Sequence, residues 1–130
     1  MQELFKAMFS ASSGMRAQAV RLRLIGENVA NADTPGYHRK TVSFEAVLDR
    51  ASGASTVKAG RVRLDRSPLR ESYEPGHPLA DARGIVSFSN VNTLIEIADA
   101  REANRSYQAN LTIFDQARRM YGGVLGLLRR

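Results

Sequence analysis

Cysteine and tryptophan are both absent from the sequence, prolines number four, and aromatic residues make up only 7%. Without cysteine there can be no disulfide, no thiolate nucleophile and no Cys-based zinc site, and the redox compartment stays open. So few aromatic rings leave little for a base-stacking platform. No run approaches the ~20 apolar residues of a transmembrane helix. The N-terminal stretch MQELFKAMFSASSGM has mixed polarity and lacks the apolar core of a cleaved signal peptide. The expectation is a chain without membrane insertion, either cytoplasmic or exported by a route that reads no such signal.

Catalytic and metal-binding patterns are equally sparse. His38 lies in a basic turn and His77 is wedged between Gly76 and Pro78, neither at ligand spacing from a second histidine or a carboxylate pair. There is no nucleophile elbow and no Gly-rich phosphate loop. Glu71 and Glu74 are close in sequence, but nothing marks them as an acid/base pair. Two Asn-x-Ser/Thr triplets, at Asn104 and Asn110, fall inside an expected helix and read as chance. No enzyme, cofactor or metal is expected.

What is present is helical periodicity. The chain has 130 residues, 43% apolar and 25% charged, enough for one domain or two small lobes. From the N-terminus, Leu4, Met8, Ala11, Met15, Gln18, Leu22, Ile25 and Val29 recur in alternating steps of four and three, an a/d seam with one polar member. A helix over Gln2–Asn31 would be roughly 45 Å long. The C-terminal region answers with Ile97, Ala100, Asn104, Tyr107, Leu111, Phe114, Arg118, Tyr121, Leu125 and Leu128, interrupted at Asn104 and Arg118, beside which stand Ala103 and Ala117. This second helix is expected over about Leu94–Leu128, with Val91-Asn92-Thr93 supplying the N-cap and Glu96, three residues after Thr93, completing a capping box. Gly14, Gly26, Gly122, Gly123 and Gly126 each cost a helix interior ~1 kcal/mol against alanine, so packing must supply the order that propensity does not. The two seams could close on each other as a monomeric hairpin. A two-helix seam buries little surface, however, and assembly with further copies is the favoured expectation.

Between the helices the period changes. Thr41–Glu45 and Arg61–Asp65 alternate, Ile85–Phe88 is β-prone, Ala51–Ser55 reads as a flexible loop tip, and proline and glycine mark turns at Ser67-Pro68, Glu74–Pro78 and Arg83-Gly84. The fold class expected is mainly α with a small β section: long terminal helices paired as an antiparallel coiled coil, with an irregular β-hairpin insert. Residues 1–31 and 93–130 would form one inner helical domain and 32–92 the turn and β section. The net charge of +6 is carried by scattered arginines whose densest runs are short, and reads as a mostly solvated basic surface.

The stretch NVANADTPGY, Asn28–Tyr37, stops the first helix with more residues than a stop requires. Asn31 could take a left-handed helix-ending conformation, and Asp33 could bond to nearby backbone N–H groups. Thr34 is pushed out of the helical region by the following proline. Pro35-Gly36 suits a type II turn, and Tyr37 could dock back on the helix. The surplus suggests that the exact shape of the turn matters.

These residues resemble the N-terminal signature of the bacterial flagellar axial proteins, the rod, hook and hook-filament junction components, and Ser13-Gly14-Met15 fits the family's preceding helix. Arg105–Asn110, RSYQAN, resembles its second signature. Tyr73–Asp81, Gly84 and Asn90-Val91-Asn92 are similar to a segment of one proximal rod subtype, with Ser89 where proline is usual. The resemblance spans about residues 10 to 115. It implies a structural subunit of the basal-body rod that self-assembles through its terminal helices, spans the periplasm and transmits motor torque. It also implies export unfolded by the flagellar type III apparatus, and partners that are further copies and other rod proteins rather than nucleic acid. Asn28, Asn31, Thr34, Pro35, Gly36 and Tyr37 would shape the joint between inner helix and β section. The alternatives are another rod subtype, or a basic helical protein that binds nucleic acid.

Overall fold

A computed structural model describes residues Met1–Arg130. Helix α1 covers Gln2–Ala30 and helix α2 Thr93–Leu128, within a residue of the limits read from the seams. They run side by side in opposite directions. The rings of Phe5 and Tyr121 lie 5.0 Å apart at one end, Gly14 sits against Asn110, Arg21 reaches Asp99 and Glu102, and Asn28 meets Glu96 at the other end. The fold is the expected one, mainly α with a small β section between two long terminal helices.

The seam of α2 is corrected by one position. Ala100, Tyr107, Phe114 and Tyr121 line it at intermediate burial, but the alternating positions are Ala103, Asn110 and Ala117, not Asn104, Leu111 and Arg118. Ile97 and Leu111 point outward, 43% and 37% exposed. The physical reason is close approach: a Cβ added at Gly14 would come within 2.7 Å of the Asn110 amide. At that distance between helices, alanine fits the seam and leucine does not. On α1 the buried set is Ala11, Ser13, Gly14, Ala17, Leu24, Ile25 and Asn28, broader than an a/d stripe because a second partner lies along the same helix. Leu4, Met8, Met15 and Leu22 are half-buried, and Val29 is 41% exposed.

That second partner is a hairpin longer than the alternation suggested. β1 (Lys40–Leu48) and β2 (Ser55–Leu64) pair antiparallel from Lys40↔Leu64 to Leu48↔Ser55. A bulge between Val42 and Phe44 falls opposite Gly60, where a Cβ would stand 2.9 Å from the Glu45 carboxylate and 3.1 Å from the Ser43 carbonyl. The tip is closed by its own hydrogen bonds: Gly53, at φ 73, donates its N–H to the Asp49 carbonyl at 2.7 Å, and the Ser52 N–H and hydroxyl donate to the Asp49 carboxylate. Helix α1 satisfies part of the outer edge of β2. The Ser10 hydroxyl donates to the Ser55 carbonyl at 2.5 Å, and Ser13 Oγ accepts the Val57 N–H at 3.1 Å. A second two-stranded sheet, β3 (Glu71–Tyr73) with β4 (Ile85–Ser87), completes the insert.

The interior is thin. Of eight buried apolar side chains, five are alanines, while Phe5, Phe9, Leu94, Ile95, Ile113, Met120, Leu127 and Leu128 stay exposed along the helices. Alanine burial contributes little hydrophobic free energy. Much of the apolar surface these helices carry is left unburied by a single copy.

Candidate assembly site: the signature turn and the outward helix faces

Asn28, 1% exposed, is the centre of the signature. Its side chain behaves as a short piece of strand. Nδ2 donates to the Lys40 carbonyl at 2.9 Å, and Oδ1 accepts the Lys40 N–H at 2.9 Å. The same Oδ1 accepts the Tyr37 hydroxyl at 2.8 Å, so the ring does return to the helix it has left. Burial, aided by the carboxylates of Glu27 and Glu96, pushes the Tyr37 phenol above its ordinary range despite the opposing charge of Lys40.

The turn follows the expected chemistry in its second half and departs from it in the first. Tyr37 N–H donates to the Thr34 carbonyl at 3.2 Å around Pro35 and Gly36, whose φ is 78, a type II turn. Gly36 N–H donates to Phe88 O at 2.8 Å, which ties the turn to the segment after β4. Asn31 is not left-handed. At φ −108 it ends α1 by donating its side-chain amide to the Glu27 carbonyl at 2.8 Å, and its Oδ1 accepts the Thr34 hydroxyl. Asp33 holds no backbone N–H; it ion-pairs with Arg70 at 2.9 Å.

Residues that periodicity did not single out complete the hub. Glu96, fully buried, pairs with the Arg39 guanidinium and lies 3.5 Å from Asn28 Nδ2. Arg39 also reaches Asp99 at 3.1 Å, and Asp99 in turn meets Arg21 at 3.6 Å. Glu96 therefore closes no capping box. Asn92 is the N-cap, its side chain accepting the Leu94 N–H at 3.1 Å. Asn90 accepts the Arg39 N–H at 2.6 Å and donates to the Asp65 carbonyl at 2.9 Å, while the Ser89 hydroxyl donates to the Ala32 carbonyl. Their trace in the sequence was the Asn90-Val91-Asn92 triplet and an acidic residue one turn into a helix. The hub thus fixes α1, the hairpin and α2 at one point, using charge-assisted hydrogen bonds in a water-poor setting.

The helix N-terminal part and the turn, residues 8–38, match the family described as flagella basal body rod protein. Residues 82–127 match that described as flagellar basal body rod FlgEFG protein C-terminal. Among curated relatives, the flagellar basal-body rod protein FlgC of Agrobacterium fabrum is 46% identical over 136 aligned residues, which cover 99% of this chain and 98% of the relative. The chain belongs to the FlgC family of flagellar basal-body rod proteins. The FlgC proteins of Salmonella typhimurium and Borreliella burgdorferi are 38% and 30% identical, over 85% and 97% of this chain and 87% and 98% of theirs. As a FlgC-family member the chain is a structural subunit of the bacterial flagellar basal-body rod. The two family matches meet in the hub: Asn28 and Tyr37 lie in the first and Glu96 in the second. No helix is long and apolar enough to cross a membrane.

Outside the hub, the helices present two kinds of surface. Phe5, Met8, Phe9, Ser12 and Phe114 line an open apolar notch of about 300 Å³ where the start of α1 crosses the second half of α2. Beyond it the last turns of α2 expose Met120 at 60%, Leu127 at 70% and Leu128 at 74%. Leu125 and Tyr121 remain at intermediate burial on the seam side.

Proposed function

We propose that this chain builds the proximal part of the rod by laying its α1–α2 pair beside those of neighbouring copies and other rod proteins, and that the resulting tube transmits motor torque across the periplasm. Residues 1–31 and 93–130 form the inner layer on this reading, and residues 32–92 stand outside it. The subunit reaches its place through the flagellar type III export apparatus. The observation that carries the reading is the mismatch between an alanine-lined interior and large apolar side chains left exposed on both helices. Large apolar side chains left exposed in this number, with Phe5, Phe9 and Phe114 gathered at one notch, mark an interface. The Asn28 hub supports it from the other side, since torque transfer needs a fixed angle between inner helices and outer β section. Mechanical transmission asks for interlocked subunits and no chemistry.

The test uses positions that a single copy leaves exposed, so that folding and assembly separate. Phe9→Asp and Ile113→Asp, at residues 48% and 49% exposed, are expected to cost the purified chain about 1 kcal/mol each, the half of the side chain that a single copy buries, and to leave it folded. Each is expected to abolish incorporation into basal bodies in a strain lacking the wild-type chain. Normal motility and normal rods in both strains would overturn the reading.

A further inference from the structure

The charge of the molecule is unevenly matched. Of its nineteen lysines and arginines, eight are ion-paired, which leaves eleven free; of thirteen carboxylates eight are paired, which leaves five. Two of those five, Asp49 and Asp65, are held by Ser52 and Ser67, whose hydrogen bonds also draw their carboxyls below the usual range. Three of the free cations line one surface at the open end of the hairpin. Arg61, Arg63 and Arg66 are exposed, none is ion-paired, and with Val62 and Leu64 they line an open depression of about 380 Å³. Val62 and Leu64 are themselves 42% and 44% exposed.

We infer that this depression is a docking surface for an acidic face of a different protein, a neighbour whose carboxylates supply the charge this chain lacks. The inference rests on the reading of the chain as an assembly subunit. Three like charges close together repel one another and are held in place at a cost that an anionic partner relieves. Sixteen of the nineteen cations are arginines, and the guanidinium fork matches a carboxylate in two parallel hydrogen bonds. Arginines around exposed aliphatic side chains have the composition of a protein–protein contact. A second copy is a poor occupant, because the carboxylates it has to spare are Glu45, Glu71 and Glu74, and Glu45 already stands opposite Lys58 in the hairpin register. A face rich in cations placed against another copy of itself adds repulsion rather than removing it.

The experiment compares the wild-type chain with Arg61→Gln/Arg63→Gln/Arg66→Gln, and with Arg101→Gln/Arg105→Gln as a control that removes cations elsewhere. Three measurements at moderate salt separate the possible occupants: anisotropy of a fluorescent polyglutamate peptide, co-sedimentation with phosphatidylglycerol vesicles, and self-association by sedimentation velocity. The peptide is expected to bind the wild type and the control alike and the triple variant at least tenfold more weakly, while vesicle binding and self-association stay the same in all three chains. Equal peptide binding by the triple variant would overturn the proposal. Vesicle binding that needs the three arginines would assign the patch to a lipid surface, and self-association that changes with them would assign it to a second copy; either result would refute the acidic neighbour. Failure of the assembly reading shows instead in the Phe9→Asp rods, which the peptide measurement does not touch.

Discussion

Replacing Asn28 by alanine tests the hub most sharply, because one side chain serves three groups. The change removes the acceptor of the Lys40 N–H, the donor to the Lys40 carbonyl and the acceptor of the Tyr37 hydroxyl. An orphaned polar group costs ~1–3 kcal/mol when water cannot replace the partner. Lys40 and Tyr37 are half-buried, so the lower figure applies, and the total is about 3 kcal/mol. For a chain of this size that lowers Tm by on the order of 10 °C. Tyr37→Phe removes only one of the three bonds and is expected to cost ~1 kcal/mol. Urea unfolding followed by circular dichroism on wild type, both single variants and the double variant closes a cycle. Once Asn28 is gone the tyrosine hydroxyl has no partner to lose, so a coupling of ~1 kcal/mol is expected between the two sites. A cost for Asn28→Ala below ~0.5 kcal/mol, the range of ordinary surface substitutions, would refute the reasoning, and so would strict additivity.

Two glycines of α1 should respond in opposite directions. A Cβ at Gly14 meets Asn110 at 2.7 Å, so Gly14→Leu is expected to force the helices apart and destabilise by at least ~1–3 kcal/mol. Nothing lies within 4 Å of a Cβ at Gly26, so Gly26→Ala is expected to stabilise by up to ~1 kcal/mol, read by thermal melts of both variants. The raised phenol of Tyr37 predicts an alkaline limb. The folded state keeps that proton when the unfolded chain, titrating near 10.0, has lost it. Its contribution is therefore intact below about pH 10 and declines as pH rises through the folded value. Tyr37→Phe should flatten this limb, and one of the four tyrosines should ionise late in an ultraviolet titration.

The long elements were legible because their signals repeat. Four heptads outvote any local exception, and both helices begin and end within a residue of the seams read from the sequence. Which side chain fills a seam depends on the distance between the helices, and hydrophobicity does not encode that. Leu111 looked like a core residue and faces out, whereas Asn110 and Ala117 face in because Gly14 lets the helices come close. The hairpin was read short toward its tip, since the alternation stopped at Glu45 and resumed at Arg61 whereas the strands run to Leu48 and from Ser55. Lys58-Ala59-Gly60 has little strand propensity, and it pairs because the serines of α1 and the bulge at Gly60 accommodate the strand. The turn at Pro35-Gly36 was readable because proline and glycine each permit few conformations. The Arg39–Glu96 pair was not, since it joins residues 57 apart and only the packing of α2 against the turn brings them together.

The central claim is that neighbours bury what a single copy leaves open on its helices. The chain has no cysteine, so Phe9→Cys and Ile113→Cys each introduce a unique thiol into a motile strain. Maleimide labelling of the purified subunit and of intact basal bodies carrying the same variant compares the two states directly. Fast labelling of the free chain with strong protection in the rod is the expected result. Equal labelling in both states would contradict the account.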